Sequence, residues 1–266
     1  MVTRGTMIGA MAAFLSVGLA AWNAGPTGGQ ATGATTTMSA TSPVLVELFT
    51  SEGCSSCPPA DLLLTRLVKE SPIHGADVIT LGFHVDYWDR LGWKDRFSSA
   101  AFTERQNRYA QAWRSDQIFT PQAVIDGRTQ VVGSDAAAVV QAIDAARTRP
   151  RARVALTVNG GASPTLALTI TPPAGVTMSG EIWLAIAEDG LASDVKSGEN
   201  ANRHIEHAGV VRRLDRIGRL PSGLSFTLAD YAPKLDSGWK RGALRAVVLV
   251  QDEKTRAILG VGQTTL

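Results

Sequence analysis

From Val44 to Val68 the chain runs an apolar strand pattern, Val44-Leu45-Val46-Glu47-Leu48-Phe49, through Cys54-Ser55-Ser56-Cys57 directly into a helix pattern. This segment constrains the fold most, because it places two sulfurs three residues apart between a strand end and a helix start. Ala60, Leu63, Leu64, Leu67 and Val68 keep the i, i+3, i+4, i+7, i+8 spacing of a buried helix face, and Pro58 and Pro59 are tolerated in its first turn. A second strand is predicted from Val78 to His84. A second helix starts near Ser98, with Phe102, Tyr109 and Trp113 as its stripe. Ala123-Val124-Ile125 leads through the hairpin signal Asp126-Gly127 to Gln130-Val131-Val132. Ser134 is the predicted N-cap of a third helix, whose stripe is Ala136, Val139, Val140 and Ile143. This order predicts an α/β fold with a mixed sheet and helices on both faces.

After Pro150 the texture becomes strand-like alternation: Val154, Leu156, Val158, then Leu166, Leu168, Ile170. Further strands are predicted over Ile182–Ala187, Leu244–Val250 and Ile258–Val261, separated by turn-rich stretches, as in an antiparallel β-sandwich. A length of 266 residues accommodates two domains, and the change of texture places their boundary near Arg149–Ala152, between residues 43–149 and 150–266. At the N-terminus, Arg4 precedes an apolar run from Met7 to Ala21. That run is about 15 residues, short of the roughly 20 that cross a bilayer as a helix, and reads as part of a signal peptide over residues 1–25. A Gly/Thr/Ala/Ser-rich tether over residues 26–42 follows. The expected location is therefore periplasmic or secreted, with a retained, uncleaved signal anchor as the alternative and no other membrane attachment. A net charge of +2 argues against a nucleic-acid partner, which needs a basic footprint.

Two cysteines exclude a disulfide-dense scaffold and a four-thiolate zinc site. At a helix N-terminus the free N–H groups and the dipole favour an anion, so a cysteine there can become a thiolate nucleophile, and a second sulfur three residues on can resolve the mixed disulfide. A structural staple is the first alternative, although so short a loop removes only about 2 kcal/mol of unfolded-state freedom on the chain-entropy model. A metal site is the second, its missing ligands drawn from His74, His84, His204 and His207.

The stretches Val44 to Asp61, His84-Val85-Asp86-Tyr87-Trp88-Asp89, Thr120 to Gly127 and Gly198-Glu199-Asn200-Ala201-Asn202-Arg203 resemble DUF1223, a family of secreted bacterial proteins of uncharacterised function. Up to about residue 148 the chain also resembles the thioredoxin-like superfamily. This resemblance implies that Cys54 attacks and Cys57 resolves, and that Thr120-Pro121 forms a cis bond facing the sulfurs. It also implies that Glu47 is the buried acid that takes the proton of the resolving thiol. The spacing from Glu47 to Cys54 is one residue longer than in thioredoxins, which sets a solvent-facing Glu47 beside the catalytic one as the alternative. Ser55-Ser56 replaces the usual Gly-Pro, and Val85–Ser98 is inserted as either a lid, through Tyr87, Trp88 and Trp93, or ordinary packing.

The remaining candidates have structural readings beside functional ones. His84 is a poising residue, a metal ligand or a hydrogen-bonded structural histidine. Glu199, Asn200, Arg203, His204 and His207 match the family motif, yet turn and cap chemistry accounts for Gly-Glu-Asn. Arg212, Arg213, Arg216 and Arg219 read as a solvated face, with a surface for an acidic partner as the alternative. The expected protein is an exported thiol-disulfide oxidoreductase acting on thiols and disulfides of other exported proteins with an unknown redox partner and no cofactor. The alternative is a non-enzymatic metal-binding or adaptor protein.

Overall fold

The computed structural model describes residues 43–70, 76–161 and 163–266. The expected signal peptide and tether, and His74, lie outside the described residues. The strands are β1 (Val44–Thr50), β2 (Val78–His84), β3 (Gln122–Ile125), β4 (Thr129–Val132), β5 (Arg153–Asn159), β6 (Thr165–Thr171), β7 (Gly180–Glu188), β8 (Leu191–Asp194), β9 (His204–His207), β10 (Val210–Leu220), β11 (Phe226–Tyr231), β12 (Leu244–Gln251) and β13 (Ile258–Thr265). The helices are α1 (Pro58–Glu70), α2 (Ala100–Trp113) and α3 (Ala136–Ala146). No described helix is long and apolar enough to cross a membrane.

An eight-stranded mixed sheet, ordered β13-β12-β7-β10-β2-β1-β3-β4, forms the centre of the molecule. β1 pairs parallel with β2 and antiparallel with β3, and β3–β4 is the hairpin that Asp126-Gly127 predicts. Side chains of β1 alternate between faces. Leu45 and Phe49 join Phe83, Phe102 and Tyr109 under α2, whereas Val44, Val46 and Leu48 pack with Ala60, Leu64, Leu67, Val139 and Ile143 under α1 and α3. Helices therefore cover both faces, as expected. The third helix is capped one residue later than predicted, by the Asp135 side chain, which accepts the Ala138 N–H. Val140 of its predicted stripe is exposed, and Ala142 and Ala146 are buried instead.

The expected boundary near Arg149–Ala152 does not separate two cores. Gly82 of β2 pairs with Val210 of β10, which joins strands from both halves in one sheet. Ala185, Ala187, Val211, Val247, Leu249, Ile258 and Val261 share a single apolar cluster with Leu45, Phe49 and Tyr109. The change at Pro150 marks a change of covering layer, from helices to the three-stranded sheet β11-β6-β5. That small sheet packs Leu166, Leu168 and Ile170 on Ile182, Leu184, Val248 and Val250, which gives the sandwich-like half. Its approach to β13 needs glycine, since a Cβ on Gly260 or Gly262 would stand 2.6 Å from the Ala152 or Val154 carbonyl oxygen.

The arginine cluster lies along β10. Arg216 and Arg219 are exposed, as a solvated face requires, but Arg212 and Arg213 are half-buried, and the four pair with acids: Arg212 with Glu188, Arg213 with Asp215, Arg216 with Glu181 and Arg219 with Glu253. Between β7 and β10 the short β8–β9 hairpin leaves the main sheet and packs on α1.

Candidate functional site

Cys54 and Cys57 form a disulfide at the start of α1. The Cys57 carbonyl accepts the N–H groups of Ala60 and Asp61, at 2.8 and 3.2 Å, and the Cys54 carbonyl accepts the Cys57 N–H. The helix therefore begins within the motif. Both cysteines are 0% exposed, whereas Ser55 and Ser56 face solvent. Thr120–Pro121 is a cis peptide at the start of β3. A Cβ built on Gly133 would stand 3.3 Å from the Cβ atoms of both Pro121 and Ala60, which places Pro121 beside the first turn of α1.

Two segments from elsewhere in the chain cover the motif. In the inserted stretch, Trp88 donates through Nε1 to Thr120 Oγ1 at 2.8 Å, and Trp93 donates to Glu52 Oε2 at 2.7 Å. The connection between β8 and β9 carries Gly198 to Asn202 onto the disulfide loop. The buried Asn200 amide donates to the carbonyl oxygens of Glu52 and Cys54, each at 2.9 Å, and the exposed Glu199 accepts the Ser55 N–H at 3.1 Å. Turn chemistry is present as well, with Ala201 N–H on the Gly198 carbonyl. Asn200→Asp replaces the donor by an acceptor of the same shape facing two buried carbonyls. It should destabilise the protein by about 2–3 kcal/mol in urea unfolding and speed reduction of the disulfide by small thiols. Wild-type values for both would show that the hairpin tip does not hold the loop.

Beneath the loop lies a buried polar cluster of Glu52, Asp61, His84, Asp95 and His207. His84 Nδ1 is 2.6 Å from Asp95 Oδ2, which also accepts the Glu52 N–H. His207 Nε2 is 3.2 Å from Glu52 Oε1. Its Nδ1 is 3.5 Å from Asp61 Oδ1, is buried, and makes no hydrogen bond. Thr50 Oγ1 donates to the other Asp61 oxygen. Burial opposes charge on His207, but the Asp61 and Glu52 carboxylates outweigh it and hold the imidazole up at about 9. Burial likewise raises Asp95, and the facing His84 overcomes it to bring the carboxyl down to about 2. Glu52 is lowered despite burial, chiefly by its bond with His207. Phe97 packs edge-on against both histidine rings, whose centroids are 4.8 Å apart.

The expected role of Glu47 is not what the structure provides. Glu47 is buried, but it shares the β1 face of Leu45 and Phe49, under α2, whereas α1 packs on the opposite face. Its Oε1 accepts from Arg105 Nε at 2.6 Å and its Oε2 from the Tyr109 hydroxyl, so both oxygens are committed to α2. The extra residue between Glu47 and Cys54 fits this face, because in a strand one position of offset exchanges the sides. The acids under the motif are Glu52 and Asp61, which the sequence reading did not single out as functional. His84 is hydrogen-bonded to Asp95, eleven residues away, as its structural reading has it.

The fold and site define a mixed-sheet α/β protein with a disulfide at a helix start, above a buried histidine–carboxylate cluster. The chain belongs to the family described as protein of unknown function (DUF1223), whose model matches residues 45–251. No curated protein matches it significantly. Among solved structures it is similar to protein AGR_C_4864 from Agrobacterium tumefaciens, with 26% identity, a TM-score of 0.65, and coverage of 85% of this chain and 95% of that one. HBP35 of Porphyromonas gingivalis shares the fold, with a TM-score of 0.60 at 16% identity over 85% of this chain and 76% of that one.

Proposed function

We propose that the protein is an exported thiol-disulfide oxidoreductase whose first half is thioredoxin-like, acting through Cys54 and Cys57 on disulfides of other exported proteins. The observation that carries this reading is the Cys54–Cys57 disulfide spanning the turn into α1. The strand order β2-β1-β3-β4 and the position of Pro121 beside the first turn of α1 support it. In the reductive direction, the Cys54 thiolate attacks a substrate disulfide, forming a mixed disulfide and releasing one substrate thiolate. Cys57, once deprotonated, then attacks Cys54 Sγ, closing the intramolecular disulfide and releasing the second substrate thiolate. Two electrons pass from the pair to the substrate, and the reverse sequence oxidises a dithiol. Both sulfurs are buried, so a protein substrate reaches them only when the Trp88 segment or the Asn200 turn moves aside.

The test uses reduced Cys57→Ser and Cys54→Ser variants with a purified disulfide-containing exported protein. Cys57→Ser should accumulate a mixed disulfide through Cys54, and Cys54→Ser should not. Absence of adducts in both would favour the second reading, to which the burial of both sulfurs lends weight: an adaptor whose disulfide stays closed.

A further inference from the structure

We infer that Asp61, His84 and His207 form a binding site for a divalent first-row transition metal ion such as zinc, beneath the disulfide and separate from its sulfurs. The three residues come from α1, β2 and β9, and all are buried. One ligand atom from each lies within 4.8 Å of the other two. The His207 Nδ1 to Asp61 Oδ1 separation of 3.5 Å is already close to the roughly 3.3 Å that bonds of about 2.0 Å at a tetrahedral angle require. The other sides of the triangle are no longer than 4.8 Å, so closing them needs side-chain movement of up to about 1.5 Å.

Three further observations point to a cation. His207 Nδ1 is a buried ring nitrogen with no hydrogen bond, directed at a carboxylate. Each histidine also has a second carboxylate on one ring nitrogen, His84 Nδ1 on Asp95 at 2.6 Å and His207 Nε2 on Glu52 at 3.2 Å, which leaves His84 Nε2 and His207 Nδ1 for the ion. That carboxylate–imidazole backing orients metal-binding histidines and raises their basicity. Finally, Glu52, Asp61 and Asp95 bring three buried carboxylates against two imidazoles, and none of the three pairs with a lysine or arginine among the described residues. A divalent ion reduces that excess of negative charge. Two imidazole nitrogens and one carboxylate oxygen suit zinc, cobalt(II) or iron(II) rather than calcium or magnesium, and leave one position of a tetrahedral ion open. Because the residues are closed to solvent and lie on three elements, the ion is acquired as β9 docks on α1, and it ties the hairpin to the helix.

This inference does not depend on the redox reading, and the experiment separates the two by using the oxidised chain, which has no thiols to offer a metal. The full chain with its disulfide intact is unfolded in urea, refolded with excess zinc or cobalt(II), and dialysed. One ion per chain should remain, with a cobalt spectrum lacking sulfur charge-transfer bands and a zinc X-ray absorption spectrum showing imidazole and oxygen but no sulfur shell. Asp61→Asn, which retains an oxygen acceptor for Thr50, should weaken retention against a competing chelator by at least about tenfold, as should His207→Asn. Failure of the wild type to retain an ion, a sulfur shell in the absorption spectrum, or wild-type retention by both folded variants would each overturn the site. Should a variant fail to fold, the wild-type stoichiometry and spectrum decide alone.

Discussion

A fragment ending at residue 149 is expected not to fold, although the sequence reads as if a complete domain closed there. The cut removes β7, β10, β12 and β13 from the sheet and takes away one wall of the cluster that buries Leu45, Phe49, Phe83 and Tyr109. It removes Gln251, which accepts from Arg105 and donates to the Tyr109 hydroxyl, and the Ile258 N–H that satisfies the Asp126 carbonyl. It also removes His207 and Asn200, leaving Glu52 and Asp61 buried without their imidazole and the disulfide loop without its amide clamp. Uncovering an apolar face and leaving buried charges unpaired act in the same direction, and together exceed the roughly 5–15 kcal/mol by which a whole protein is stable. The measurement is near-ultraviolet circular dichroism and urea unfolding of residues 43–149. A cooperative transition with a native-like aromatic signal would show that the first half has a sufficient core of its own.

Most local elements of the first half were legible because each is announced by a short-range signal. The periodicity of α1, the apolar run of β2 and the Asp126-Gly127 turn need only nearby residues, and the structure places those elements within a few residues of their predicted ends. β10 was not legible. Its pairing with β7 shifts register between Val211 and Arg213 and again between Arg216 and Gly218, and such bulges erase the period-two pattern that identifies a strand. The β8–β9 hairpin has strands too short to show alternation.

The site was legible only where its chemistry is local. The cysteine pair declares itself by spacing, but Asn200 reaches Cys54 across 146 residues and His207 reaches Glu52 across 155. No periodicity carries such pairings. Glu47 shows the complementary failure: the sequence leaves open a buried acid serving the resolving thiol or a solvent-facing side chain, and the structure gives neither, because strand parity directs the buried carboxylate to Arg105.

Arg105→Met should be among the most damaging single substitutions in the chain. Arg105 is 4% exposed and is the only cation paired with the fully buried Glu47 among the described residues. Its guanidinium also bonds Gln251 Oε1 at 3.2 Å and Tyr109 at 3.3 Å, and lies over the rings of Phe83 and Tyr109. Burial pulls the Arg105 pKa down, but the adjacent Glu47 charge more than reverses this and holds it above the usual arginine value. Methionine fills part of the volume and leaves Glu47 with the Tyr109 hydroxyl alone. Removing one partner of a buried ion pair costs about 3–5 kcal/mol. At roughly 2–4 °C per kcal/mol for a chain of this size, the melting temperature should fall by about 6–20 °C. The double variant Glu47→Leu, Arg105→Met removes both charges and should recover most of that loss, because an apolar pair of similar volume often replaces a buried salt bridge at little cost. A thermal-unfolding double-mutant cycle checks both statements. If Arg105→Met alone melts within about 2 °C of the wild type, the Glu47–Arg105 pair does not tie β1 to α2 as described; if the double variant is no better than the single one, the loss comes from packing and hydrogen bonds to Gln251 and Tyr109 rather than from the stranded carboxylate.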